Sequence, residues 1–179
     1  SPKENIARAQ AGYRKLKALP MPTIAAVHGH ALGAGLQVAL ACDVRVVTED
    51  ASLGLLEMRY GIIPDLGGSN ALPRLVGEGR AKKMIWLAER IDGREAERIG
   101  LAEICVAPTE LEKTVDELAD RLGEPPHLAK RMAKRVVDRA YLSSPEEGFD
   151  NEASAQTECL TSPEFTEAVT RALSSRLAT

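Results

Sequence analysis

Aromatic side chains make up only 3% of this 179-residue chain. A surface that stacks bases needs exposed rings, so single-stranded nucleic acid is not an expected partner. Positive charge is not in excess either. The chain carries 23 Lys and Arg against 26 Asp and Glu, a net charge of −3, and bulk electrostatics do not draw it to a polyanion. Cysteine is scarce. Cys42, Cys105 and Cys159 are odd in number, far apart and outside any CxxC spacing. That pattern argues against a disulfide or zinc framework and fits reduced thiols packed as small apolar residues in a cytoplasmic protein. No apolar run approaches the ~20 residues of a membrane-spanning helix, and no signal peptide is visible. The polar start, SPKENIARAQ, reads as the entry to a helix.

What is present suffices for a core: hydrophobic residues make up 44% of the chain, as in a soluble globular protein. Ser1-Pro2 starts a helix whose side is marked by Ile6, Ala9, Tyr13, Leu16 and Leu19, ending by Pro20. TIAAVH (23–28) suits a buried strand, a glycine-rich turn follows, and GLQVALAC is a helix. DVRVVT (43–48) reads as a second strand, parallel to the first across that helix, and ASLGL (51–55) as a short third. GGSNALPRLVG, GRAKKMIWLAER and IDGREAERIG read as three short helices, the last with an Asp-led capping pattern, and AEICVA (102–107) as a late strand. After Pro108 the pattern is helical throughout, over 110–122, 126–141, 145–160 and 163–177, each helix starting near a proline. The change near Pro108 predicts a mixed core over 1–107 and a helical region over 108–179.

HGHALGAGLQVALACD (28–43) spends three glycines just ahead of a helix. Either the backbone turns there with positive φ, or something must come close to it. A phosphate loop is a poor reading, because no Lys-Ser/Thr follows and GxGxxG is absent. His28 and His30 stand at i, i+2, with no third ligand at a usual spacing, so no metal site is expected.

Over its whole central stretch, TIAAVHGHALGAGLQVALACDVRVVTEDASLGLLEMRYGIIPDLGG, the chain resembles the crotonase family of enoyl-CoA hydratases and isomerases, and IDGREAERIGLAEICV resembles the segment that follows there. The resemblance covers nearly all of this chain and the C-terminal two-thirds of a typical member. It implies an α/β fold, the crotonase-like ββα spiral with two near-perpendicular sheets, followed by a helical trimerisation region. The partners implied are an acyl-CoA thioester and further copies of the chain, in a trimer or a dimer of trimers. No cofactor is implied beyond the coenzyme A of the substrate.

The resemblance also implies residue roles. The thioester oxygen gains negative charge as an enolate forms, and two backbone N–H groups cradle it. One of them matches Ala34, where small neighbours and a helix N-terminus favour the anion. Leu32, Gly33, Gly35, Pro64 and Gly67 fall at substrate-lining positions. Of the two hydratase glutamates, one matches Glu57. The other matches Gln37, whose amide holds a substrate or water but transfers no proton at neutral pH. Asp65, eight residues after Glu57, falls where several family isomerases carry a catalytic carboxylate. Plainer roles compete: Glu57 as a solvated residue at a helix start, and Asp65 as the N-cap of a helix beginning at Leu66.

With the hydratase pair broken and Glu57/Asp65 remaining, double-bond isomerisation is favoured over hydration. Asp65 or Glu57 shuttles the proton, Ala34 N–H stabilises the enolate and Gln37 orients the substrate. The alternatives are an enoyl-CoA hydratase and a non-catalytic acyl-CoA-binding scaffold. The family segment carrying the other oxyanion amide has no match in this chain, and the loss of one such donor commonly costs ~10²–10³ in rate. A cut or partial chain is therefore expected ahead of a truly short one. Lys130, Arg131, Lys134, Arg135 and Arg139 form a basic stripe at helical spacing: a solvated face or a contact for CoA phosphates. The ending ALSSRLAT departs from the basic, aromatic tail of the family.

Overall fold

The computed structural model describes residues 1–177, with side chains described to 174; the last two residues of the ALSSRLAT tail lie outside the described residues. The chain divides into two compact units, one of residues 1–19 and 23–119, the other of residues 20–22 and 120–179.

The first unit opens with α1 (Pro2–Lys17), which starts at Ser1 through a capping box closed with Glu4. β1 (Ile24–Val27) follows, then β2 (His30–Leu32), α2 (Ala34–Ala41), β3 (Val44–Thr48) and β4 (Ser52–Gly54). After a 3-10 turn at Glu57–Tyr60 come α3 (Gly68–Val76), α4 (Glu78–Trp86), α5 (Gly93–Arg98) and β5 (Ile104–Val106). The Asp92 side chain caps α5 by accepting from Glu95 N–H, as its motif implies. Two parallel sheets result, one ordered β1-β3-β5 and the other β2-β4. The expected parallel pair is β1 with β3, Ile24 standing opposite Val44 and Val27 opposite Val47.

The structure corrects the reading of the glycine-rich run as a turn alone. His30–Leu32 pairs with Ser52–Gly54, so the run holds a strand between two turns. Three residues are too few to show an alternating pattern, and their partner lies some twenty residues on.

The core lies where α2, α3 and α4 meet the strands. Leu36, Val47, Leu53, Leu55, Leu72 and Leu101 are fully buried there. At ~25 cal/mol per Å² of apolar surface, each such leucine contributes ~2 kcal/mol. Arg45 is 3% exposed, and its guanidinium donates to the carbonyls of Leu101 (2.9 Å), Cys42 (3.0 Å) and Ala39 (3.4 Å) and pairs with Glu103. A buried charge stays stable only when paired and hydrogen-bonded, and here the pairing ties the end of α2 to the segment before β5. Gly93 is required by close approach: a Cβ there would stand 2.0 Å from the Thr48 carbonyl oxygen.

α6 (Leu111–Gly123) carries the chain into the second unit, which holds α7 (His127–Arg139), α8 (Pro145–Leu160) and α9 (Pro163–Leu177). α8 starts at Ser144 through a capping box with Glu147. Met132 and Ala155 are the buried residues of this unit among those described. Part of the basic stripe is engaged within the unit. Lys130 Nζ donates to the Leu122 carbonyl (2.7 Å), Lys134 Nζ to that of Met21 (3.0 Å), and Arg135 pairs with Glu158 (2.7 Å).

Candidate active site

The glycines ahead of α2 have separate reasons. Gly29 and Gly33 have φ of +63° and +53°, a region that costs any residue with a Cβ. Gly33 meets both demands at once, because a Cβ there would also lie 3.3 Å from Glu57 Oε1. Its N–H donates to the Gly54 carbonyl at 2.8 Å, which fixes the turn to the end of β4. Gly35 needs neither, having no positive φ and nothing within 4 Å of a Cβ.

Gly33 is the N-cap of α2 and offers no side chain to the first amides. The N–H groups of Ala34 and Gly35 therefore stand at the open start of a helix, where donors lack intrahelical acceptors and the dipole favours negative charge. Both residues are exposed.

Glu57 begins the 3-10 turn that ends at Gly61 in the left-handed region, and this turn aims its side chain at the Gly33 bend. Gln37, one helical turn beyond Ala34, points inward and is 2% exposed. Its Nε2 donates to Glu57 Oε1 at 2.8 Å, and its Oε1 accepts from the N–H groups of Leu66 (2.8 Å) and Gly68 (3.0 Å). Glu57 Oε2 is shielded from solvent and has no hydrogen-bond partner among the described residues. An unpaired buried acceptor is rare in folded proteins and calls for an explanation.

Asp65 does not cap a helix at Leu66. α3 begins at Gly68 behind Gly67, whose φ of +98° makes the entry, with no side-chain cap bond. Asp65 is instead half-buried in the turn ahead of α3, and its backbone carbonyl accepts from Gln10 Nε2 at 2.7 Å. Pro64 is buried and its carbonyl accepts from Ser69 Oγ at 2.9 Å, while Gly67 is exposed and Leu32 half-buried.

Two residues of α1 belong to this neighbourhood and were not singled out for it by sequence. Beside Gln10, Tyr13 donates its phenolic O–H to the Ala34 carbonyl at 3.4 Å. Burial, and secondarily the nearby Asp65 carboxylate, raise the Tyr13 pKa, so the phenol stays a proton donor at neutral pH. The one available signal was a polar pair three residues apart on an otherwise apolar side of α1. Gly33, Ala34, Gln37, Glu57 and Tyr13 thus adjoin one another, and Gln37 links them to the turn that carries Asp65.

Comparison with known proteins bears on the family and the fold. The family model described as enoyl-CoA hydratase/isomerase matches residues 3–176. The short-chain-enoyl-CoA hydratase of Clostridium acetobutylicum is 36% identical over 164 residues, covering 92% of this chain and 63% of that protein. The crystal structure of an enoyl-CoA hydratase from Bacillus anthracis superposes with a TM-score of 0.90 at 34% identity, over 94% of this chain and 65% of that one. A Thermobifida fusca protein of the enoyl-CoA hydratase type, solved with acetoacetyl-CoA, gives a TM-score of 0.85 at 38% identity, over 88% of this chain and 62% of that one. The chain thus spans less than two-thirds of the length of these relatives. With the crotonase fold and the family model extending over nearly every residue, the chain belongs to the enoyl-CoA hydratase/isomerase family.

Proposed function

We propose that this chain carries the proton-transfer site of an acyl-CoA double-bond isomerase, with Glu57 as the base. The supporting observation is the Glu57 carboxylate packed against the Gly33–Ala34 bend, with one oxygen unpartnered and an amide, Gln37, where a second carboxylate would be needed to grip a water. A 3-enoyl-CoA thioester places its carbonyl oxygen on the Ala34 N–H. Glu57 takes a proton from C2, and the electron pair of that C–H bond moves into the carbonyl to give a dienolate. The oxygen's charge is stabilised by the amide and the start of α2. The proton then returns at C4, leaving the double bond between C2 and C3, so atoms and charge balance without a co-reactant. Asp65, beside Tyr13, supports the return of the proton.

Hydration is the second reading, and the hydratase names among the relatives favour it. Nuclear magnetic resonance of a 3-enoyl-CoA in D₂O with the longest natural form of the protein separates the readings. Migration of the double bond with deuterium entering the acyl chain supports isomerisation. A carbinol signal shows hydration, and substrate binding with neither change leaves an acyl-CoA-binding scaffold. Self-association as a trimer or a dimer of trimers is part of the proposal. It is supported by the exposed Val137, Tyr141, Leu142 and Phe149 of the second unit.

A further inference from the structure

Three features of Gln37 go beyond an amide at a carboxylate's position. Its side chain is nearly inaccessible, at 2% exposure, so its hydrogen bonds are made to protein. Its orientation is fixed by its partners. Oε1 accepts two backbone N–H groups, from Leu66 and Gly68, and a flipped amide would turn its own N–H toward those donors and its oxygen toward the Glu57 carboxylate. Both contacts would then be repulsive, so Nε2 must face Glu57. Lastly, Gly68 leaves room for this arrangement. A Cβ there would stand 2.9 Å from Gln37 Cγ and 3.0 Å from Oε1, too close for the amide to keep its place.

We propose that Gln37 is a positioning residue that holds Glu57 and the Asp65-bearing turn in a fixed relation, gripping the carboxylate by Oε1 so that it stays beside the Gly33 bend where the proton is taken. The inference rests on the isomerase reading above and deepens it. A long carboxylate side chain has rotamer freedom that must be lost before each proton transfer, and a hydrogen bond to one oxygen removes that freedom in advance. The same amide prevents the turn at Leu66–Gly68 from drifting away from α2. Gln37 therefore acts through Glu57 and through the backbone of the opposite turn, with no direct part in holding substrate.

The test compares Gln37→Met with the unsubstituted protein in its longest natural form. Methionine keeps the length of the side chain and removes both hydrogen-bonding functions. The expected result is a fall in kcat for double-bond migration of about 10²-fold, as for a reacting group displaced by about 1 Å, with KM unchanged. Amide hydrogen exchange at Leu66 and Gly68 should accelerate while that of the core strands does not. Gly68→Ala, which pushes Gln37 aside, should reproduce the kcat effect in part. If Gln37→Met does not fold, Gln37→Asn replaces it. The shorter amide does not span Glu57 and both backbone donors, so the same split is expected. Unchanged kcat overturns the proposal. So does a raised KM at constant kcat, which would make Gln37 a substrate contact. If the unsubstituted protein migrates no double bond, the isomerase reading itself fails, and the positioning role falls with it. That outcome is distinguishable because it appears before any substitution is made.

Discussion

The two units of the chain differ in how many apolar side chains they bury. In the first, a continuous cluster from Val27 to Ala102 is buried around α2, and two polar side chains that enter it are tied to partners: Arg45 to carbonyls and Glu103, Gln37 to two amides and a carboxylate. In the second, Met132 and Ala155 are the buried residues among those described, while Tyr141, Leu142 and Phe149 are 69%, 76% and 72% exposed. Proton transfer needs groups held within fractions of an ångström, and only a close-packed surround holds them so. The first unit supplies that surround. Among the described residues, the second buries few of its own side chains and lacks such a surround.

Substitutions sharpen this contrast. Leu53 is fully buried beside the turn that ends at Gly33, and Leu53→Ala should lower the stability of the first unit by about 2–5 kcal/mol in denaturant unfolding. Gly93→Ala should cost about 1–3 kcal/mol in the same experiment, because the new methyl meets the Thr48 carbonyl and the backbone must shift. Leu142→Ser and Phe149→Ser in the second unit should each change unfolding of the isolated chain by less than about 0.5 kcal/mol. Sedimentation should nonetheless show that they weaken self-association. If Phe149→Ser costs as much as Leu53→Ala at a concentration where the chain is monomeric, the contrast between the units is wrong.

Much of this fold was legible because it is local. Ser1 with Glu4, Ser144 with Glu147, and Asp92 ahead of Glu95 mark helix starts by side chains that reach only three residues. β2 was hidden because three residues carry no period and its pairing with β4 is not local. The family resemblance named candidate site residues, but the sequence did not carry their wiring. Gln37 answers to the backbone amides of Leu66 and Gly68, and backbone groups have no letter in the sequence. The cap weighed as a competing role for Asp65 is not formed for a related reason: Gly67 at φ +98° starts α3 by conformation, with no capping side chain. Gln10 and Tyr13 reach the site from α1, about twenty residues before the helix that carries Gln37, and only tertiary packing brings them there.

The central claim is that Glu57 moves the proton beside the thioester. The most direct measurement is the rate of deuterium entry from D₂O into the acyl chain of a 3-enoyl-CoA, compared for the unsubstituted protein, Glu57→Gln and Asp65→Asn. Loss of a general base costs about 10²–10⁴-fold, so Glu57→Gln should lose deuterium entry by that factor while Asp65→Asn loses less. Deuterium entry at the unsubstituted rate in Glu57→Gln would contradict the claim and move the base to Asp65.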